Sequence, residues 1–243
     1  MHNTLKDLKN KMKTIKGMGW IECNHKNRGS AGLKLEKLLG INPENFEIPD
    51  YNGIEIKTKK TLSKEKITLF CATPDSYFFE IKRLYELYSY PDKRDKKYNI
   101  LNANVNTYKK THIKDNIYFK LKVEKKEKIV LLVVYKDNKI VDCCTSWSFD
   151  LLKEKLERKL NYLCFVDVDT RFSHNQLFIK YKNDNYYILK DFNTFIDLLD
   201  NGIISISIRI NIFKNEYRNG QIHDHGTAFC IDKKNLNLLF DKL

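Results

Sequence analysis

Two stretches of this 243-residue chain carry the same pattern, Asp-x4-Glu-x-Lys: PDYNGIEIK at 49–57 and PDSYFFEIK at 74–82. Two carboxylates and an ammonium brought together can hold a hard divalent cation, orient a water and stabilise developing negative charge. Hydrolysis of a phosphodiester needs that equipment. The spacing alone is a weak signal, because this composition yields the bare Asp-x4-acid-x-Lys pattern about 0.35 times per chain by chance. Side-chain direction separates the two copies.

In the first copy Asn52-Gly53 signals a tight turn, and Ile54-Glu55-Ile56-Lys57-Thr58 alternates apolar and polar as a half-buried strand does. Residues two apart on a strand point the same way, so Glu55 and Lys57 share a face and Asp50 can converge on them across the turn. The chemistry expected there is Mg²⁺-dependent. Asp50 and Glu55 would be the carboxylate ligands, the backbone carbonyl of Ile56 a further ligand, and Lys57 the group that orients water or stabilises charge. The competing interpretation is an exposed hairpin with ordinary surface charges.

In the second copy Tyr77, Ile81, Leu84 and Tyr88 recur at helical spacing, with Asp75 or Ser76 as N-cap and Pro91 just beyond the end. Residues two apart on a helix diverge by about 200°, so Glu80 and Lys82 cannot serve one metal and one water. This copy is expected to be structural.

Several elements must position the first cluster. Leu5, Leu8, Met12 and Ile15 predict an N-terminal helix stopped at GMG (17–19), followed by a short apolar WIEC. LKLEKLLG predicts a helix closed by Gly40 with Leu35, Leu38 and Leu39 inward, and a β-rich stretch is expected from Phe46 to Phe70. KIVLLVVYKDNKIVDCCTSW predicts two strands joined at Asp137-Asn138, and SFDLLKEKLERKL an amphipathic helix with Ser148 as N-cap. YLCFVDVDTRF has a buried-strand pattern, LFIKYKNDNYYILKDF is expected to be a hairpin, and FNTFIDLLDNG a helix ending at Gly202. IISISIRINIF alternates strictly as a strand, and a short terminal helix is expected near the C-terminus. Helices and strands interleave with hairpins, which predicts an α/β fold with a mixed central sheet flanked by helices.

The totals agree with an enzyme acting on a polyanion. Hydrophobic residues make up 42% of the chain, and 44 Lys and Arg against 31 Asp and Glu give +13. That balance favours phosphate-bearing partners through counterion release. The six cysteines lack C-x2-C pairing and are expected to be buried free thiols. With no apolar signal core and no run near the ~18 apolar residues of a membrane helix, a soluble cytoplasmic protein without membrane contact is expected.

The block NRGSAGLKLEKLLGINPENFEIPDYNGIEIKTKK with the downstream ITLFCATP, at 27–74, resembles the N-terminal signature of the MvaI/BcnI family of type II restriction endonucleases. RNGQIHDHGTAFCI at 218–231 resembles the family's C-terminal HDHG segment. The resemblance implies a PD-(D/E)XK nuclease, similar in fold to the mismatch-repair nicking enzyme MutH, with Asp50 and Glu55 as metal ligands and Lys57 as catalytic lysine. It adds Glu36, on the LKLEKLLG helix, as an acidic residue near the metal.

It further implies a monomer clasping double-stranded DNA at a short, pseudosymmetric, GC-containing site and nicking the strands in turn, with a cognate DNA methyltransferase as genetic partner. One domain is then expected, divided into a catalytic lobe over roughly 1–115 and a DNA-recognition lobe over roughly 116–243. Arg209 on the alternating strand would reach guanine or a phosphate. His223, Asp224 and His225 would meet base edges or phosphates. Charged base-reading side chains are expected near 207 and 230, where this chain has Ser207 and Cys230. His25 is a loop histidine or a DNA contact. A repair-type nickase and a non-catalytic DNA-binding module stay open as alternatives.

Overall fold

The computed structural model describes residues 1–23, 29–41, 48–75, 77–214 and 217–243, with Tyr77 and Phe78 described by their backbone alone. His25 and Ser76 therefore lie outside what is described. In chain order the elements are α1 (His2–Gly17), β1 (Ile21–Cys23), α2 (Ser30–Leu39), β2 (Ile54–Lys60), β3 (Ile67–Cys71), α3 (Tyr77–Tyr88), β4 (Tyr90–Pro91) and β5 (Asn99–Val105). Next come β6 (Thr111–Lys114), β7 (Ile117–Glu124), β8 (Ile129–Lys136), β9 (Lys139–Asp142), β10 (Ser146–Ser148) and α4 (Phe149–Leu160). The remainder is β11 (Tyr162–Ser173), β12 (Gln176–Leu189), α5 (Phe192–Asp200), β13 (Ser205–Ile212), β14 (Ile222–Asp224), β15 (Ala228–Ile231), α6 (Leu236–Leu239) and β16 (Phe240–Lys242).

These elements gather into two compact units, neither continuous in sequence. One holds Met1–Glu65, Glu157–Lys190 and Phe240–Leu243, the other Lys66–Leu156 and Asp191–Leu239. A single division near residue 115 does not describe them. The reason is strand pairing: β11 joins β2 in parallel, Leu163 beside Glu55 and Phe165 beside Lys57, so residues after 157 complete the unit that residues 1–65 begin.

The first unit is built on a sheet ordered β1-β12-β11-β2, with β16 also on β12. Leu8, Met12 and Ile15 of α1 and Leu35 and Leu39 of α2 are buried against Ile54 and Ile56 of β2, Val166 and Val168 of β11, and Ile179 and Tyr181 of β12. α2 ends at Gly40 with φ +74, the left-handed conformation that glycine adopts without a Cβ penalty.

The expected hairpin inside LFIKYKNDNYYILKDF is a single strand, β12. The reversal falls earlier, at His174-Asn175, both with positive φ, and β11 pairs with β12 from Ser173↔Gln176 to Tyr162↔Ile188. The long partner overrides the turn propensity of Asn183-Asp184-Asn185, and the Asp184 carboxylate accepts from Lys16 and Tyr186.

In the second unit β10-β8-β7-β6 form one sheet, with β9 on β8, and β3-β15-β13-β5-β4 another, with β14 on β13. The fold is mixed α/β, spread over several sheets instead of one. Asp137-Asn138, with positive φ at both positions, turns β8 into β9, and the Ser148 hydroxyl accepts from Leu151 N–H to cap α4.

α3 confirms the helical nature of the second motif. Glu80 is buried against Arg83 and Thr145, whereas Lys82 is exposed and pairs with Glu86 at 3.7 Å. Of the cysteines, Cys23, Cys164 and Cys230 are buried free thiols, but Cys71, Cys143 and Cys144 are exposed. No described helix is long and apolar enough to cross a membrane.

Trp147 shows where the second unit stores stability. It is fully buried, donates its indole N–H to Ala72 O at 3.0 Å and meets Phe229 edge-on. Trp147→Ala is expected to lower the unfolding free energy by about 3–5 kcal/mol, measured by urea denaturation.

Candidate active site

The motif turn forms from its own residues. Tyr51 and Ile54 exchange two backbone hydrogen bonds at 2.9 Å around Asn52 (φ +44) and Gly53 (φ +92). This is the two-residue hairpin turn that Asn-Gly favours. The Tyr51 hydroxyl ties it to α1, donating to Asp7 and accepting from Lys11.

Beyond the turn, β2 is an edge strand in the path of its sheet, bordered by β11. Glu55 and Lys57 lie on one face of it, and Lys57 Nζ stands 2.5 Å from Glu55 Oε1. Asp50 Oδ2 accepts from Ile56 N–H at 2.8 Å, which fixes its carboxylate beside the strand. On an extended strand the N–H and C=O of one residue point to the same side, so the Ile56 carbonyl faces the side on which Asp50 lies.

Glu55 is 1% exposed, and burial pushes its carboxyl above the ordinary value, with Lys57 drawing it down and Asp50 raising it. Burial likewise raises Glu36, and Asp50 adds to the rise while Lys57 and Lys159 oppose it. Glu36 thus belongs to the same electrostatic cluster. An added Cβ on Gly32 would lie 3.6 Å from Thr58 Oγ1 and 3.7 Å from Glu36 Oε1, so α2 presents Glu36 close to β2.

Lys159 is the residue that motif reasoning misses. Its Nζ lies 3.5 Å from the same Glu55 Oε1. It stands at the end of α4, and the parallel pairing of β11 with β2 carries it to the centre. Within EKLERKL it looks like any lysine on a polar helix face, and only the register of a distant strand pair marks it.

Among the described residues no set of three or more His, Cys, Asp and Glu is gathered as a metal cage. The donor set nevertheless fits Mg²⁺, which takes one or two carboxylates and retains waters. Glu55 Oε2 supplies the test: it is buried and has no hydrogen-bond partner among the described residues, an orphan that a cation would satisfy.

The predicted DNA-reading residues gather in the other unit. β13 pairs with β14, Asn211 beside His223 and Ile210 beside Asp224. Arg209 Nη2 donates to the carbonyls of His225 and Gly226, each at 3.3 Å. The His223 ring stacks on Phe213 with centroids 4.1 Å apart and lies 4.0 Å from the His225 ring. Burial, with the neighbouring His223 and Arg209, pushes His225 below its ordinary pKa. Burial raises Asp224, whose Oδ1 accepts from Gly226 N–H. Ser207 is half-buried on β13, and Cys230 is buried on β15 with its Sγ 3.6 Å from Ala228 O.

A mixed α/β fold with a glutamate and a lysine on one strand face and an aspartate across the turn before it is the architecture of a restriction-type nuclease. The sequence profile of the MvaI/BcnI restriction endonuclease family matches residues 9–240, and the chain belongs to that family. Among solved structures it is similar to a restriction endonuclease MvaI–cognate DNA substrate complex, with a TM-score of 0.91 and 28% identity over 100% of this chain and 98% of that one. It is also similar to restriction endonuclease MvaI in the absence of DNA, with a TM-score of 0.64, 28% identity and the same coverage. No curated protein matches the chain.

Proposed function

We propose that this restriction endonuclease is Mg²⁺-dependent, binds double-stranded DNA as a monomer, and nicks the two strands in turn at a short pseudosymmetric site containing G·C pairs. The observation that carries the chemistry is Glu55: a buried carboxylate with one oxygen held by Lys57 and Lys159 and the other without a partner among the described residues. Asp50, Glu55 and the Ile56 carbonyl would hold Mg²⁺, which supplies polarisation of the phosphoryl oxygens when bound.

Lys57 orients the attacking water and stabilises the negative charge that builds as water adds to phosphorus and the P–O bond to the leaving oxygen breaks. Lys159, with Lys57, draws the Glu55 carboxyl down against the rise that burial imposes. Glu36 raises the negative potential at the metal position. The excess of 13 positive charges favours the phosphate backbone, and Arg209, His223, Asp224 and His225 form the base-facing group. Such an enzyme works in the cytoplasm beside a methyltransferase that protects the same site.

Incubation of the purified protein with unmethylated phage DNA and Mg²⁺ is expected to give discrete fragments whose sequenced ends share one motif, and chelation with EDTA is expected to stop the reaction. Intact DNA or an unstructured smear would count against the assignment.

A further inference from the structure

Among the described residues two lysines reach the same oxygen of Glu55, and they come from different parts of the chain. Lys57 extends from the strand that carries Glu55, with Nζ 2.5 Å from Oε1. Lys159 comes from the last turn of α4, with Nζ 3.5 Å from Oε1. The backbone fixes its place. α4 ends at Leu160, which is fully buried, β11 begins at Tyr162, and Tyr162 and Leu163 pair with Ile54 and Glu55. The carbonyl end of a helix also favours a cation there.

Lys159 faces the cluster more than solvent. Its side chain is 19% exposed, and together with Lys57 it draws down the carboxyl of Glu36 as well as that of Glu55.

Two duties compete for Lys57. While its ammonium lies against Glu55 Oε1, part of its donor capacity is spent on a carboxylate. To orient water and meet the charge developing at phosphorus, it must turn its head group away. A carboxylate as buried as Glu55 is costly once its partner leaves. Oε2, buried and without a partner among the described residues, is the oxygen open to a cation, so Oε1 depends on whichever lysine stays. Lys159 stands close enough to take over. From 3.5 Å, a small shift brings its Nζ to the distance of about 2.8 Å at which charge-assisted hydrogen bonds form.

We propose that Lys159 is a positioning residue that takes over Glu55 Oε1 when Lys57 turns toward water and phosphate, so that the carboxylate keeps its aim at the metal position. The proposal rests on the restriction-endonuclease reading of the same site and divides its positive charge between two jobs. Lys57 acts on the reacting atoms, and Lys159 acts only through Glu55.

The first test needs neither metal nor DNA. In a crystal structure of the full chain with Lys57→Ala, Lys159 Nζ is expected to close to about 2.8 Å from Glu55 Oε1. A Lys159 side chain that stays at its present distance or turns away would overturn the hand-over.

The second test follows cleavage with Lys57 in place. Lys159→Met is expected to slow single-turnover cleavage at saturating Mg²⁺ by about 10–100-fold, the usual effect of losing a group that holds a metal ligand. Duplex affinity, its salt dependence and the urea midpoint should stay unchanged. Lys159→Arg, which keeps the charge, should recover most of the rate. In a Glu55→Gln background Lys159→Met should add no further loss, because no carboxylate is left to hold.

Wild-type rates for Lys159→Met would overturn the proposal. So would equal losses for the Met and Arg variants with a lowered urea midpoint, the mark of a packing role. A shallower salt slope would also sink it, by making Lys159 a phosphate contact. If the unsubstituted chain cuts no duplex, the endonuclease reading falls and this proposal with it; normal cutting by Lys159→Met overturns the positioning role alone.

Discussion

Lys57→Ala is expected to reduce DNA cleavage by about 10²–10⁴-fold while leaving duplex binding nearly unchanged. The expectation follows from position. The Nζ atom stands 2.5 Å from Glu55 Oε1, on a strand fixed by its pairing with β11, so its loss would remove the group proposed to stabilise charge and orient water. A single ammonium among the many on a +13 chain contributes little to the overall attraction for phosphate. Single-turnover cleavage and filter binding, measured side by side, separate the two effects. Lys82→Ala is the control: that side chain is exposed on α3, and cleavage should proceed at the normal rate. Normal cutting by the Lys57 variant would show that the chemistry lies elsewhere.

Glu55→Gln is expected to be at least as damaging, with cleavage lowered about 10³-fold or more and weaker Mg²⁺ binding by calorimetry. Glutamine keeps the volume of the side chain but removes the charge that would face a cation, and electrostatic help from a bound metal is worth several kcal/mol in the transition state. The same change leaves Lys57 and Lys159 facing a neutral amide. Raising the Mg²⁺ concentration should recover part of the activity of this variant and none of that of Lys57→Ala. Equal response of both variants would argue against a metal role for Glu55.

What the sequence makes legible is local. Asn52-Gly53, the alternation from Ile54 to Thr58, the glycine after LKLEKLL and the helical spacing around Ile81 and Leu84 each encode their element within a few residues. The structure follows them closely. Even the separation of the two identical spacings is readable, because strand and helix send residues two apart in different directions. Long-range pairing is not written that way. β2 meets β11 in parallel, and nothing near either strand specifies the register that places Leu163 beside Glu55. For that reason Lys159 is invisible among the lysines of α4, the long β12 looks like a hairpin because KNDN carries turn residues, and a single cut near residue 115 misses a boundary that crosses the chain several times. The neutral Ser207 and Cys230 stand out by comparison with the family pattern, but the placement of Asn104 beside Ser207 is visible only when β5 is seen beside β13.

The discontinuity of the first unit bears on the order in which its centre is assembled. β2 and the turn before it carry Asp50, Glu55 and Lys57 early in the chain, yet the partner strand β11 begins at Tyr162, and β16, which pairs with β12, comes at Phe240–Lys242. A polypeptide still emerging from the ribosome has Asp50, Glu55 and Lys57 long before it has the strands that hold them in place. The cluster is therefore held in place only once β11 has been made, and a chain that stops before Tyr162 lacks the strand that fixes β2.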